Sequence, residues 1–252
     1  MSGARTGIVV AGVVALAVAT QAFAEKTTEE FANGTARPRS IALLPVKATV
    51  TRARMVETEG LVDDSVKFGG EFNARIQAAL TAKGYQVVVI DTDRLNTDPK
   101  LQEYVVETQR GFDDMMSKYK PKNMSKHMYK VGDSGRVLAD YLHVDGLAFS
   151  TMSITITPMG KAIFSGLVGG TTSGANANLE IVDGKTGELE AWFLGIAIVA
   201  PGDKTNADLS DYVATLAERS TNRVPGADPS ARIDVAQSDE AVLEEAESTL
   251  KR

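Results

Sequence analysis

The chain has 252 residues, no cysteine, two histidines, and 27 Lys and Arg against 33 Asp and Glu, a net charge of −6. An acidic balance argues against nucleic acid as a partner. The lack of cysteine excludes a disulfide framework and thiol-ligated metal centres.

The first 24 residues read as a secretion signal. Arg5 is a short basic start, Ile8 to Ala19 is an uncharged apolar run, and Ala22-Phe23-Ala24 is a small-x-small cleavage site. Twelve apolar residues are too few to cross a bilayer, which takes about 20. Without a cysteine there is no residue to lipidate. The expectation is a soluble periplasmic chain starting near Glu25, with 26 cations against 33 acids and a net charge of −7.

Residues 25–39 are polar, contain Asn33-Gly34 and Pro38, and read as a flexible leader. Ser40 to Val46 is a short apolar strand, and Pro45 belongs at its end because it cannot donate a ladder hydrogen bond. Residues 51–70, with mixed charges and Gly69-Gly70, read as a loop. Glu71 to Lys83 is a helix with Phe72, Ile76, Ala79 and Leu80 on one face and Gly84 as its stop. Gln86 to Asp91 is a second buried strand, so strand, helix and strand form a βαβ-like unit. Asp98-Pro99 starts a helix carrying Leu101, Val105, Phe112 and Met116, with Asp98 as its N-cap. Ser134 to His143 is a further helix, with Val137, Leu138, Tyr141 and Leu142 as its apolar side and Asp133 or Ser134 as its cap.

Leu147 to Thr157 alternates as a strand, and residues 176–200 (NANLEIVDGKTGELEAWFLGIAIVA) read as two strands joined by the turn Asp183 to Gly187. Trp192 belongs to the core in this reading. Asn206 or Asp208 caps a helix with Leu209, Tyr212, Val213 and Leu216. The segment 223–252 is a linker and an acidic tail with Val242, Leu243, Ala246 and Leu250 at helical spacing. The whole predicts one α/β domain over 40–222, bordering on α+β. It has a single mixed sheet of about five strands, helices mainly on one face, a long hairpin at the end and a helical tail.

Candidate chemistry is sparse. Gly132-Asp133-Ser134-Gly135 has the look of a nucleophile string, but a serine needs a base in reach, and His127 and His143 lie on the same stretch of chain. Helix capping is the plainer reading. No acid or histidine spacing matches a metal site, and the glycines of 160–174 match no phosphate-cradling motif. Two segments stand out instead. Residues 116–130 (MSKYKPKNMSKHMYK) place Lys118, Lys120, Lys122, Lys126 and Lys130 among methionines and tyrosines with no acid between, a pattern for anionic surfaces. The alternative is a solvated loop balanced by acids within the chain, the tail among them. The glycine-rich segment 160–174 carries Ile163, Phe164, Leu167 and Val168, a pattern for protein contact or membrane insertion, or else for folding back onto the sheet.

The order of elements, with Pro45, Gly84, Ala139-Asp140-Tyr141 and the turn Asp183, Thr186-Gly187, resembles the periplasmic α/β domain of the curli-export protein CsgG and the amino-terminal domain of TolB. The match covers roughly residues 40–200 and its motifs are structural. The resemblance implies a non-enzymatic accessory subunit of an envelope assembly or export system. Other envelope proteins or further copies of the chain would be its partners, and no cofactor is implied. The alternative is a periplasmic binding protein for a lipid or other apolar ligand.

Overall fold

A computed structural model describes residues 25–53, 57–120, 128–158, 173–200 and 202–227. Its centre is an eight-stranded mixed sheet, three strands more than expected. In chain order the elements are β1 (Glu25–Thr27), α1 (Glu29–Asn33), β2 (Ser40–Leu43), β3 (Lys47–Ala53), β4 (Thr58–Gly60), α2 (Val62–Ala82), β5 (Gln86–Val89), α3 (Thr92–Thr97) and α4 (Pro99–Ser117). There follow α5 (Asp133–Leu142), β6 (Gly146–Ile156), β7 (Gly174–Asp183), β8 (Leu189–Ala197) and α6 (Asn206–Thr221). The strand order is β1-β8-β7-β6-β2-β5, with β3 alongside the second half of β6 and β4 alongside β3.

The extra strands come from segments that read as loop. Pro45 interrupts the first strand as expected, but the chain re-enters the sheet at once. β2 pairs in parallel with the start of β6 (Ile41 with Gly146), and β3 with its end (Arg52 with Ile156). Helix α2 starts at Val62, nine residues earlier than its apolar pattern implied. Gly69 is no breaker here. A Cβ at Gly69 would lie 2.7 Å from the Ala48 Cβ, so the glycine lets the helix sit directly on β3.

Residues 25–39 are not a flexible leader. β1 pairs antiparallel with β8 at the sheet edge. The Thr28 hydroxyl caps α1 by accepting from the Phe31 amide (3.2 Å) and donates to the carboxylate of Glu190. Phe31 is fully buried, its ring 6.4 Å from that of Phe193. Arg37 donates to the carbonyls of Phe31 (3.0 Å) and Ala32 (2.8 Å) on one side and to that of Gly226 (2.7 Å) on the other. The same clamp draws in the chain beyond 222: Val224 and Ala227 are buried, and the Ala227 amide donates to the Lys83 carbonyl (2.9 Å). Residues 228–252, with the predicted tail helix, lie outside the described residues, as do residues 1–24.

Helices cover both faces, not mainly one. Alternation in the strands divides the core in two. Ile41, Leu43, Met152, Ile154, Leu179, Ile181 and Phe193 meet α1, α2 and α6 on the first face. Ala42, Leu147, Phe149, Val182 and Leu189 meet α4 and α5 on the second. Phe112 of α4 stacks on Phe149 at 4.0 Å and 3°, which anchors that layer. The caps follow the sequence closely but not fully. Asp98 accepts from the Leu101 amide (3.0 Å) as expected. At α5 the N-cap is Gly132 (φ 89°) with no side-chain cap. At α6 it is Thr205, in a reciprocal box with Asp208.

Candidate interaction surface

The basic segment follows the last turn of α4, where Lys118 is exposed and paired with Asp114 four residues back (2.7 Å). Lys120 is held by its backbone: its amide donates to the Tyr129 hydroxyl (2.8 Å), and its side chain is exposed. Lys130 pairs with Glu188 (2.5 Å) beside the β7–β8 turn, and their backbones form an isolated antiparallel bridge. These three lysines, with Asp114, Met115, Met128 and Tyr129, line one open groove of about 380 Å³. Met128 is 64% exposed on its wall. Lys122 and Lys126 lie outside the described residues, as do Ile163, Phe164, Leu167 and Val168. Lys118 and Lys130 are balanced locally, by Asp114 of α4 and Glu188 of the β7–β8 turn.

Under the groove lies a group the sequence did not single out. Tyr119 packs against Tyr129 (5.0 Å) and Trp192 (6.1 Å), and beneath them Glu180 projects from the middle of β7, 1% exposed. Trp192 is directly opposite on β8 and its indole donates to the carboxyl. Burial pushes Glu180 up to about 8, partly offset by its hydrogen bonds from backbone and Trp192. Its Oε2 accepts no hydrogen bond among the described residues. Glu180 takes the face opposite Leu179 and Ile181, and Tyr119 with the aromatic group around it lies over that face here. Burial also pushes up the Tyr119 hydroxyl, helped by Tyr129 and Glu180. Trp192 itself is half-buried at the margin of the second core, neither wholly core nor a free contact residue.

Past Phe149 the second face turns polar, with Thr151, Ser153 and Thr155 on β6 and Asn176 and Asn178 on β7, none of them fully buried. Asn178 donates to the Thr151 hydroxyl (3.2 Å) and Thr51 to the Thr155 hydroxyl (3.2 Å). One end of the sheet is marked by apolar exposure. There β6 ends opposite β3 and β7 begins opposite the end of β8. Ile198, just past β8, is 73% exposed, and Val62 and Val66 at the start of α2 are 72% and 74% exposed.

The nucleophile string forms no catalytic pair with the described histidine. Ser134 lies in the first turn of α5, where its carbonyl accepts from Thr108 (2.9 Å). His143 closes the other end of that helix in a left-handed conformation (φ 54°), about 13 Å along the axis. His127 lies outside the described residues. Among the described residues no three acids and histidines gather as metal ligands, and no helix is long and apolar enough to cross a membrane.

The residues behind the family resemblance sit at structural junctions. Pro45 separates β2 from β3, Gly84 (φ 88°) follows α2, and Ala139-Asp140-Tyr141 closes α5. Asp183 accepts from the Thr186 amide (2.7 Å) in the hairpin turn. No protein-family model matches the chain, and no curated protein does. Among solved structures it is similar to the PelC dodecamer from Paraburkholderia phytofirmans, at 9% identity and a TM-score of 0.38, over 78% of this chain and 91% of that one. The lipoprotein GNA1162 from Neisseria meningitidis matches at 16% identity and a TM-score of 0.31, over 74% and 99%. The LpoB C-terminal domain from Salmonella enterica matches at 9% and 0.29, over 65% and 85%. At these scores the likeness carries no argument about function.

Proposed function

We propose that the chain is an exported, non-enzymatic accessory subunit of a bacterial envelope assembly or export system, acting through protein–protein contacts. The observation that supports this reading best is the end of the sheet bearing Val62, Val66 and Ile198, each more than 70% exposed. Exposed valines one helical turn apart and an exposed isoleucine beside a strand end leave apolar area in water that a partner would bury. The alternative, a carrier of lipid or another apolar ligand, needs an apolar chamber between helices and sheet. The helix–sheet layers are filled by stacked and fully buried phenylalanines, and among the described residues the grooves beside Arg37 and Asp145 and beside Lys118 and Met128 are open to the surface with charged linings.

The test is light scattering on the mature chain, with cross-linking in intact cells. A defined oligomer, or a reproducible heteromeric complex weakened by Val62→Asp and Ile198→Asp, supports the proposal. A monomer with no cross-linked neighbour overturns it.

A further inference from the structure

The groove at the end of α4 is amphipathic in a particular way. Its rim carries three lysines (Lys118, Lys120, Lys130) against Asp114 and the neighbouring Glu188, an excess of positive charge, and its wall is methionine (Met115, and Met128 at 64% exposure). Methionine side chains adapt to helices of differing sequence. The ion pair of Lys118 with Asp114 is exposed on both sides, and surface pairs of this kind contribute little, so Lys118 can exchange partners at small cost, while Lys130 is itself exposed beside the more buried Glu188.

We infer that the occupant of this groove is the chain's own C-terminal segment, Ser238 to Leu250. Three observations agree. The chain beyond Ala227 carries seven carboxylates against three cations, complementary to the rim. Its apolar residues Val242, Leu243, Ala246 and Leu250 fall at i, i+1, i+4 and i+8, the spacing of one helix face, as a helix-in-groove contact requires. The reach is sufficient as well. Ala227 is fixed beside Lys83, at the end of the sheet where β2 and β5 begin, and Lys130 meets Glu188 by the β7–β8 turn at that same end. The ten residues Asp228 to Gln237 span up to about 33 Å when extended. The strands between β5 and β8 take up about 20 Å, and the linker also rounds the end of the sheet, since Ala227 packs on the first face and Met115 and Tyr129 on the second. Docked there, the tail covers Met128 and adds carboxylates opposite the rim lysines.

The chain's lack of cysteine makes the test clean. In the full mature chain, Met128→Cys with Ala246→Cys is expected to form an intramolecular disulfide under mild oxidation. A chain carrying Val62→Cys with Ala246→Cys, at the far end of the sheet, serves as the reference and is expected to react at least tenfold more slowly. Two changes should slow the first reaction about tenfold: salt at roughly 0.5 M, where screening shortens to under 5 Å, and the triple reversal Lys118→Glu, Lys120→Glu, Lys130→Glu. The salt arm stands if the reversal impairs folding. Equal rates for the two cysteine pairs, indifference to salt, or disulfides formed only between chains would overturn the inference.

Discussion

Glu180 and Trp192 stand directly opposite each other on β7 and β8, and the indole donates its hydrogen bond to a carboxyl that is 1% exposed. The indole and a backbone amide together do not offset the loss of water around a carboxylate. The folded chain therefore holds Glu180 protonated up to about pH 8, while the unfolded chain releases that proton near 4.5. Between those values the folded state binds more protons, so stability falls as pH rises from about 4.5 to about 8. The loss is on the order of a few kcal/mol. Glu180→Gln keeps an acceptor for Trp192 and carries no charge. Its urea midpoint is expected to exceed that of the parent chain at pH 8.5 and to approach it at pH 5. A parent chain whose midpoint does not drop across that range would contradict the burial of this carboxyl.

Phe31 tests the ordering of the first segment. Its ring is fully buried against Phe193, and the turn around it is held by Thr28 and Arg37. Phe31→Ala should cost about 3 kcal/mol, within the range for a deleted core aromatic. Amide hydrogen exchange should then show residues 25–39 opened. If these residues were a free leader, the substitution would leave the urea midpoint unchanged.

Two glycines are expected to respond in opposite directions. A Cβ at Gly195 would lie 2.6 Å from the Ser220 hydroxyl and 2.7 Å from the Leu216 carbonyl, so Gly195→Ala pushes α6 off β8. The expected loss is about 1 to 3 kcal/mol. Gly70 lies inside α2 with nothing within 4 Å of its absent Cβ. Gly70→Ala should stabilise by about 0.5 to 1 kcal/mol, since alanine loses less backbone freedom in a helix. Chemical denaturation of both variants checks the pair.

What was legible in the sequence were elements with a strong local period. The hairpin β7–β8, the strands β2, β5 and β6, and the buried faces of α4 and of most of α2 follow directly from apolar spacing. What was hidden depended on distant partners. β3 alternates Val50 with Thr49 and Thr51 among charged neighbours, and only the company of β6 makes it a strand. Gly69 reads as a breaker until Ala48 is known to press against it. The first segment is polar except for Phe31, and its place is decided by Glu190, 162 positions away. The burial of Glu180 and Glu190 was hidden as well, because alternation reports which face a residue takes, and not what covers that face. At the groove, the sequence supplied the lysines. It did not show that Asp114 and Glu188 would balance Lys118 and Lys130, nor that Tyr119 would pack between Tyr129 and Trp192.

The central claim is that this domain works by contact, through the apolar end of its sheet. The most direct measurement places a photo-reactive amino acid at Val66 or Ile198, and at exposed Glu103 on α4 as the reference, in cells producing the full chain. The account predicts adducts of one defined mass at Val66 and Ile198 and none at Glu103. Adducts equally frequent at all three positions, or absent from all three while the purified chain is a monomer, would contradict it.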